Sequence, residues 1–82
     1  MASVAQRVHS IASDVFGVPA QRIFPDSSPV TLERWDSTQH LTFVLALEES
    51  FQLQFSPEET ERIRTIGDAV KLVEEKIQVE GK

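Results

Sequence analysis

The sequence predicts an all-α domain, a small antiparallel bundle of three main helices plus one short helix, with a long first loop. Three segments repeat apolar residues at helical spacing, and each opens with a capping residue. No segment alternates apolar and polar residues for long enough to indicate a strand. The chain has 82 residues, which suits a single domain over 1–82 with a modest core.

The first helix is predicted from about Ser3 to Phe16. Ser3 followed by Gln6 resembles a capping box, in which each residue bonds to the backbone of the other. Gly17 and then Pro19 indicate where the helix stops. The apolar stripe of this helix consists of Val4, Val8, Ile11 and Val15.

A long loop is predicted between Gly17 and Trp35, because the segment shows no period and contains several prolines. Scattered apolar residues are expected to anchor this loop to the core, and Trp35 is expected to be partly buried. Structureless loops of this length are uncommon and are often functional. The predicted anchors are Val18, Ile23, Phe24, Val30 and Leu32.

The second helix is predicted from about Ser37 to Phe51. Asp36 can serve as its N-cap, and Gln39 then occupies the third helical position. Its buried face is expected to consist of Leu41, Val44, Leu45, Leu47 and Phe51.

Two further helices are predicted in the last third of the chain. The short one begins at residues 56–59, Ser-Pro-Glu-Glu, which provide a cap, a proline at the first position and two acidic residues. The longer one runs from about Ile66 to Ile77, with Thr65 as its cap and Asp68 in its first turn. Its stripe consists of Ile66, Ala69, Val70, Val73 and Ile77. Residues expected in the shared core are Val8, Ile11, Leu45, Leu47, Val70 and Val73.

Composition excludes several classes of function. The net charge is −5, so the basic surface that nucleic-acid binding requires is missing. No apolar run approaches the length of a membrane span, and the absence of cysteine excludes disulfides and thiolate metal sites. We expect a soluble, cytoplasmic monomer that binds neither nucleic acid nor membrane. Its acidity either favours basic protein partners or simply keeps the domain soluble.

Ser37 is the residue whose position suits a covalent modification of its hydroxyl. If Asp36 caps the second helix, the Ser37 hydroxyl is not needed for capping and is free to point outward. A helix N-terminus stabilises a negative group through its N–H donors and the helix dipole, so a phosphodiester on Ser37 would lie in a favourable field. Taken alone, these facts favour an ordinary serine near a helix start.

An ordered set of short motifs resembles the acyl carrier protein family over nearly the whole chain. Asp36-Ser37 at a helix start resembles the family's attachment motif, which usually reads Asp-Ser-Leu. The runs 16–18 (Phe-Gly-Val) and 45–51 (Leu-Ala-Leu-Glu-Glu-Ser-Phe) resemble the ends of its first and second helices. The runs 56–59 (Ser-Pro-Glu-Glu) and 64–70 (Arg-Thr-Ile-Gly-Asp-Ala-Val) resemble the starts of its third and fourth.

This resemblance implies a carrier and not an enzyme. Ser37 would accept 4′-phosphopantetheine from coenzyme A through a separate phosphopantetheinyl transferase, and Asp36 would cap the helix and help present Ser37. The thiol of the arm would hold acyl groups as thioesters, so the chain would need no cysteine of its own. Acyl-loading and acyl-processing enzymes of fatty-acid, polyketide-type or other specialised biosynthesis would be the partners.

The chain also departs from the family pattern. Thr38 replaces the usual leucine after the serine, and Gln39 and Thr42 stand where fatty-acid carriers often have acidic residues, although Glu48 and Glu49 remain. These departures favour a carrier dedicated to a specialised pathway. The resemblance places the partner contacts at Thr38, Gln39, Leu41, Thr42, Glu48 and Glu49. Cargo contacts are expected from Leu41, Leu45, and Ile63 or Ile66, and the polar Thr38 disfavours long, purely apolar chains.

Two other functions remain open at this level: a peptidyl or aminoacyl carrier, and an unmodified acidic helical module that binds other proteins. His40 is expected to be a surface histidine, although it could approach a phosphate on Ser37. A zinc site formed by His9 and His40 is not expected, because further ligands at suitable spacing are missing. A hydrolase pair of Ser37 and His40 is not expected, because the sequence offers neither an orienting carboxylate at a convincing distance nor a pocket. Arg34 suits phosphate but is expected to be solvated.

Overall fold

The computed structural model describes residues 3–32 and 34–80, and within these ranges it contains four α-helices and no strand. The helices are α1 (Val4–Phe16), α2 (Ser37–Phe51), α3 (Pro57–Arg62) and α4 (Ile66–Glu80). The predicted all-α bundle of three main helices and one short helix is confirmed. The long first loop contains a single 3₁₀ turn, Ala20–Arg22, and α4 extends beyond its predicted end at Ile77.

The capping residues set the bounds of the first two helices. Ser3 and Gln6 form the predicted capping box, with Ser3 Oγ accepting from the Gln6 amide at 3.1 Å. The helix α1 ends at Gly17, whose φ of 66° lies in the left-handed region that glycine adopts without steric cost. The helix α2 ends in the same conformation at Gln52, where the Cβ atom makes a φ of 56° less favourable.

Local hydrogen bonds also start the last two helices. Ser56 and Glu59 form a second capping box, in which Ser56 Oγ accepts from the Glu59 amide and the Glu59 carboxylate accepts from the Ser56 amide. Thr65 Oγ1 accepts from the Asp68 amide at 3.0 Å, as expected for the cap of α4. These bonds depend on residues three positions apart, and for that reason the sequence predicts them well.

The helices α1 and α2 run antiparallel, which the contacts at their two ends show. Near the start of α1, Arg7 Nη2 donates to Ser50 O at 2.8 Å, and its guanidinium lies 4.2 Å from the ring centroid of Phe51. Near the start of α2, Gln39 Nε2 donates to Val15 O at 2.8 Å. The start of each helix therefore meets the end of the other. The other face of α1 packs against α4.

The first loop is tied to the start of α4 through backbone bonds. Pro25 O accepts from the Gly67 amide at 2.7 Å, and Ser27 O accepts from the Ile66 amide at 3.0 Å. A Cβ atom at position 67 would lie 3.0 Å from Pro25 O, so glycine permits this approach. Ser27 is only 4% exposed, and its Oγ accepts from the Phe24 amide.

Two of the predicted loop anchors are wrong. Phe24 and Val30 are 56% and 91% exposed, whereas Ile23 and Leu32 are buried as expected. The backbone bonds from Pro25 and Ser27 to α4 hold this part of the loop, so its apolar side chains need not all point inward.

The core lies between α1, α2 and α4 and corrects the predicted face of α2. Leu41 and Leu45 were expected to be buried, but each is 59% exposed. Phe43 lies two positions from both leucines, or about 200° around the helix, and its larger ring is buried in their place. Ile11 and Val70 are only partly buried. The buried apolar residues are Val8, Ala12, Phe16, Ile23, Leu32, Trp35, Phe43, Val44, Leu47, Leu53, Ile63, Ile66, Ala69, Leu72 and Val73.

Candidate functional site

Ser37 is the first residue of α2 and its side chain is exposed. Asp36 caps the helix, as predicted, because its Oδ1 accepts from the Gln39 amide at 2.9 Å. The cap is thus provided by the preceding residue. The Ser37 hydroxyl therefore lies at the positive end of a 15-residue helix without being needed for its capping.

An open, mainly apolar groove begins at Ser37. Its volume is about 910 Å³, and its walls come from the first loop, from the start of α2 and from the connection between α3 and α4. The lining residues are Ser28, Pro29, Val30, Trp35, Asp36, Ser37, His40, Leu41, Ile63, Arg64 and Thr65. A concave apolar surface with a few polar groups is the usual form of a small-molecule site.

The groove accounts for part of the exposed apolar surface. Leu41 and Val30 are both largely exposed and both line it. Ile63, one of the residues expected to contact cargo, also lines the groove, whereas Leu45 and Ile66 do not. Exposed apolar patches with polar rims often mark binding surfaces. Val30 had no local signal in the sequence, because its place beside Leu41 depends on how the loop folds back.

An aromatic cluster of Phe16, Trp35 and Phe43 lies behind the groove. The Trp35 ring stacks on Phe16 with centroids 5.1 Å apart and meets Phe43 edge-on at 5.7 Å. Trp35 is only 2% exposed, so it is more deeply buried than the sequence predicted. Such burial requires a partner for the indole N–H, and His40 provides one.

His40 is half-buried and bonded on both sides, so the prediction of a surface histidine is wrong. Trp35 Nε1 donates to His40 Nδ1 at 2.9 Å, and His40 Nε2 lies 3.1 Å from Thr60 O. Since a carbonyl oxygen only accepts, the ring must be the neutral tautomer with its proton on Nε2. Both ring nitrogens are therefore directed at groups other than Ser37. The expectation that Ser37 and His40 have no pocket is wrong, because both residues line the groove.

Two of the predicted partner-contact residues are instead bonded within the fold. Gln39 donates to Val15 O, and Glu48 Oε2 accepts from the Phe55 amide at 2.8 Å. Both side chains are half-buried. The amide at position 39 therefore has a structural role that an acidic residue could not perform. The other four predicted contacts are exposed, namely Thr38, Leu41, Thr42 and Glu49.

The structure also describes the alternative attachment serines, Arg34 and the possible metal ligands. Ser27 and Ser28 would be the next candidates for attachment if Ser37 were not the site. Ser27 is buried, whereas Ser28 is half-buried and lines the groove. Arg34 is exposed as expected. Among the side chains that the structure describes, no group of three or more histidine or acidic residues could hold a metal ion. None of the described helices is long and apolar enough to cross a membrane.

A comparison of the chain with models of known protein families found no match. What the protein does is therefore inferred from its motifs, from the position of Ser37 and from the shape of the adjoining groove.

Proposed function

We propose that the protein is an acyl carrier protein, in which Ser37 bears 4′-phosphopantetheine and presents acyl thioesters to loading and processing enzymes. The observation that carries this proposal is an exposed serine hydroxyl, not used for capping, where a long helix starts and an apolar groove opens. The ordered motifs along the chain support the same function. Neither the serine nor the groove alone would distinguish a carrier from other small helical domains.

The residues around Ser37 fit the proposed prosthetic group. Ser37 Oγ would form the phosphodiester, and Asp36 would keep the helix start in place beneath it. Leu41, Ile63 and Trp35 line the groove, and the exposed Leu41 would provide most of the apolar contact among these three. When bound, the group supplies a thiol that holds acyl groups as thioesters, a function for which this cysteine-free chain has no side chain of its own.

The groove also bears on the cargo. Its apolar walls favour an aliphatic segment, while Ser28, Arg64 and Thr65 place polar groups along the same surface. We infer short or medium acyl groups, including groups that bear a polar atom, in preference to long unsubstituted chains. The groove has one charged residue of each sign, Asp36 and Arg64, so its charge does not distinguish an acyl from an aminoacyl thioester.

The pathway is inferred to be a specialised one, because Thr38, Gln39 and Thr42 depart from the pattern of fatty-acid carriers. Gln39 has an additional reason to be an amide, since it bonds to α1. A phosphopantetheinyl transferase and biosynthetic enzymes that recognise the exposed side of α2 would be the partners. The acidic residue Glu49 on that side suits a basic partner surface.

Incubation with coenzyme A and a promiscuous phosphopantetheinyl transferase tests the proposal. Intact mass spectrometry should show one added phosphopantetheine group on the wild type and none on Ser37→Ala. Ser10→Ala is the matched control, because Ser10 is an exposed helical serine on α1, and this variant should be modified fully. Circular dichroism should show that all three proteins are folded.

Two results would contradict the proposal. Modification that persists in Ser37→Ala would reject the site. No modification of folded wild type by several transferases would reject the carrier function and favour the unmodified interaction module.

A further inference from the structure

We propose that His40 is a positioning residue that sets the shape of the groove beside Ser37 by linking Trp35 to the end of α3. The inference rests on the proposed function only for its effect on cargo. The link itself is a property of the fold and can be measured on the unmodified protein.

The link is a directed chain of two hydrogen bonds. Trp35 Nε1–H donates to His40 Nδ1 at 2.9 Å, and His40 Nε2–H donates to Thr60 O at 3.1 Å. The imidazole and indole planes are 17° apart, with centroids separated by 6.0 Å. Only a side chain with an acceptor on one edge and a donor on the other can make both bonds.

The Thr60 carbonyl is a sensitive place for such a bond. The same oxygen accepts from the Ile63 amide at 3.3 Å, and that bond closes the last turn of α3. Ile63 and the two following residues line the groove. A displacement of Thr60 O would therefore move one wall of the groove relative to Ser37.

The helix α3 depends on such outside contacts because it has little packing of its own. It has six residues, and none of them is buried. Its start is held by the Ser56 capping box and by the ion pair between Glu59 and Lys76. Its end is held to α2 through His40, so His40 governs the end of α3 that borders the groove.

Three variants separate positioning from general stabilisation. His40→Phe keeps an aromatic ring against Trp35 but removes both the acceptor and the donor. His40→Gln restores one acceptor and one donor on a planar group. The matched control is His9→Phe, because His9 is the other histidine of the chain and lies half-buried on α1, away from the groove.

The first measurements use the unmodified protein. Nitrogen NMR of the wild-type imidazole should show Nδ1 without a proton and Nε2 with one. Amide hydrogen exchange in residues 58–62 should rise by about threefold to tenfold in His40→Phe, the scale of one lost hydrogen bond, and less in His40→Gln. Exchange in α1 should stay unchanged, and His9→Phe should match the wild type in α3.

The second measurement uses protein loaded with a hexanoyl group from hexanoyl coenzyme A. Hydrolysis of the thioester should be faster in His40→Phe than in the wild type by a similar factor, and closer to the wild type in His40→Gln. His9→Phe should hydrolyse at the wild-type rate. The hydrolysis rate relative to the wild type reports how well the fold shelters the thioester. A small, uniform loss of stability that leaves the protein folded would not change this rate.

Several results would overturn the inference. They are a proton on Nδ1 of the wild type, unchanged exchange in α3 of His40→Phe, and an equal rise in α1 and α3. Faster exchange in α3 with unchanged hydrolysis would overturn the effect on cargo. If the wild type cannot be loaded at all, the proposed carrier function fails, and the measurements on the unmodified protein still decide whether His40 positions α3.

Discussion

Large apolar residues lie on both sides of α2, but in opposite environments. On the inner side, Phe43 and Leu47 are fully buried and Val44 is nearly so. On the outer side, Leu41 and Leu45 are each 59% exposed although they are as apolar as Leu47. The comparison shows that apolar character alone does not decide which residues of this helix are buried.

The inner side connects α2 to the aromatic cluster. Phe43 lies 5.3 Å from Phe16 and 5.7 Å from Trp35, measured between ring centroids. The outer side is divided in turn, because Leu41 lines the groove and Leu45 does not. Under the proposed function, Leu41 would contact cargo and Leu45 would be available to partner enzymes.

The largest expected effect is a difference in the free energy of unfolding between substitutions on the two sides of α2. Leu47→Ala should lower the free energy of unfolding by about 2–5 kcal/mol, because it leaves a cavity in the core. Leu45→Ala removes the same atoms from an exposed position and should change that free energy by about 0.5 kcal/mol or less. Urea denaturation of both variants checks this difference. Similar losses in the two variants would contradict the assignment of the faces.

The next effect is a difference in thioester hydrolysis between substitutions of the two exposed leucines, because only Leu41 is expected to contact the cargo. Leu41→Ser should speed hydrolysis of a hexanoyl thioester by about threefold to tenfold, on the scale of one lost apolar contact. Leu45→Ser makes the same chemical change outside the groove and should leave the rate near that of the wild type. Both variants should keep most of their stability. Equal rates in the two variants would show that the cargo stays outside the groove.

A smaller effect concerns the positions at which acidic residues are missing. Gln39→Asp should lower the free energy of unfolding by about 1 kcal/mol, because a shorter carboxylate cannot donate to Val15 O. Thr42→Glu lies on the exposed side and should leave stability nearly unchanged. The charge it adds should improve acyl exchange with a generic fatty-acid synthase component, most clearly at low salt.

The comparison at these two positions uses denaturation and acyl-transfer rates at two ionic strengths. Since Gln39→Asp changes the fold and the charge together, Thr42→Glu alone is the clean test of the acidic strip. No gain at low salt from Thr42→Glu would remove the electrostatic support for a specialised carrier.

The sequence predicted the helices well because their limits depend on local bonds. Ser3, Asp36 and Ser56 each bond to a residue three positions on, and Gly17 adopts the conformation that ends a helix. Such contacts can be predicted from the spacing of residues in the sequence.

Burial on α2 could not be predicted in the same way. Apolar residues occupy several sides of this helix, so the period did not favour Phe43 over Leu41 or Leu45. The position of the candidate attachment serine was predictable from its motif. The link through His40 was not, because it joins a loop residue to a carbonyl on another helix.

The smallest effect tests how the ion pair between Glu59 and Lys76 holds the start of α3 to α4. The backbone N–H of Ser56 and the Lys76 ammonium hold the pKa of Glu59 below its ordinary value of 4.5. A lowered pKa means that the fold favours the carboxylate. The stabilisation is therefore present above pH 4.5 and is lost as the pH falls through the lowered value. Both side chains of the ion pair remain partly exposed, which limits its worth.

Glu59→Gln keeps an oxygen that can accept from Ser56 and removes only the charge, so it should cost about 0.5 kcal/mol at neutral pH. The difference from the wild type should vanish in acid, because the wild-type carboxyl is then also neutral. Glu58→Gln is the matched control, since Glu58 is the exposed neighbour on the same turn. Urea denaturation from roughly pH 7 to pH 3 checks both variants. A difference between Glu59→Gln and the wild type that persists in acid would mean that the charge of Glu59 is not what holds this end of α3.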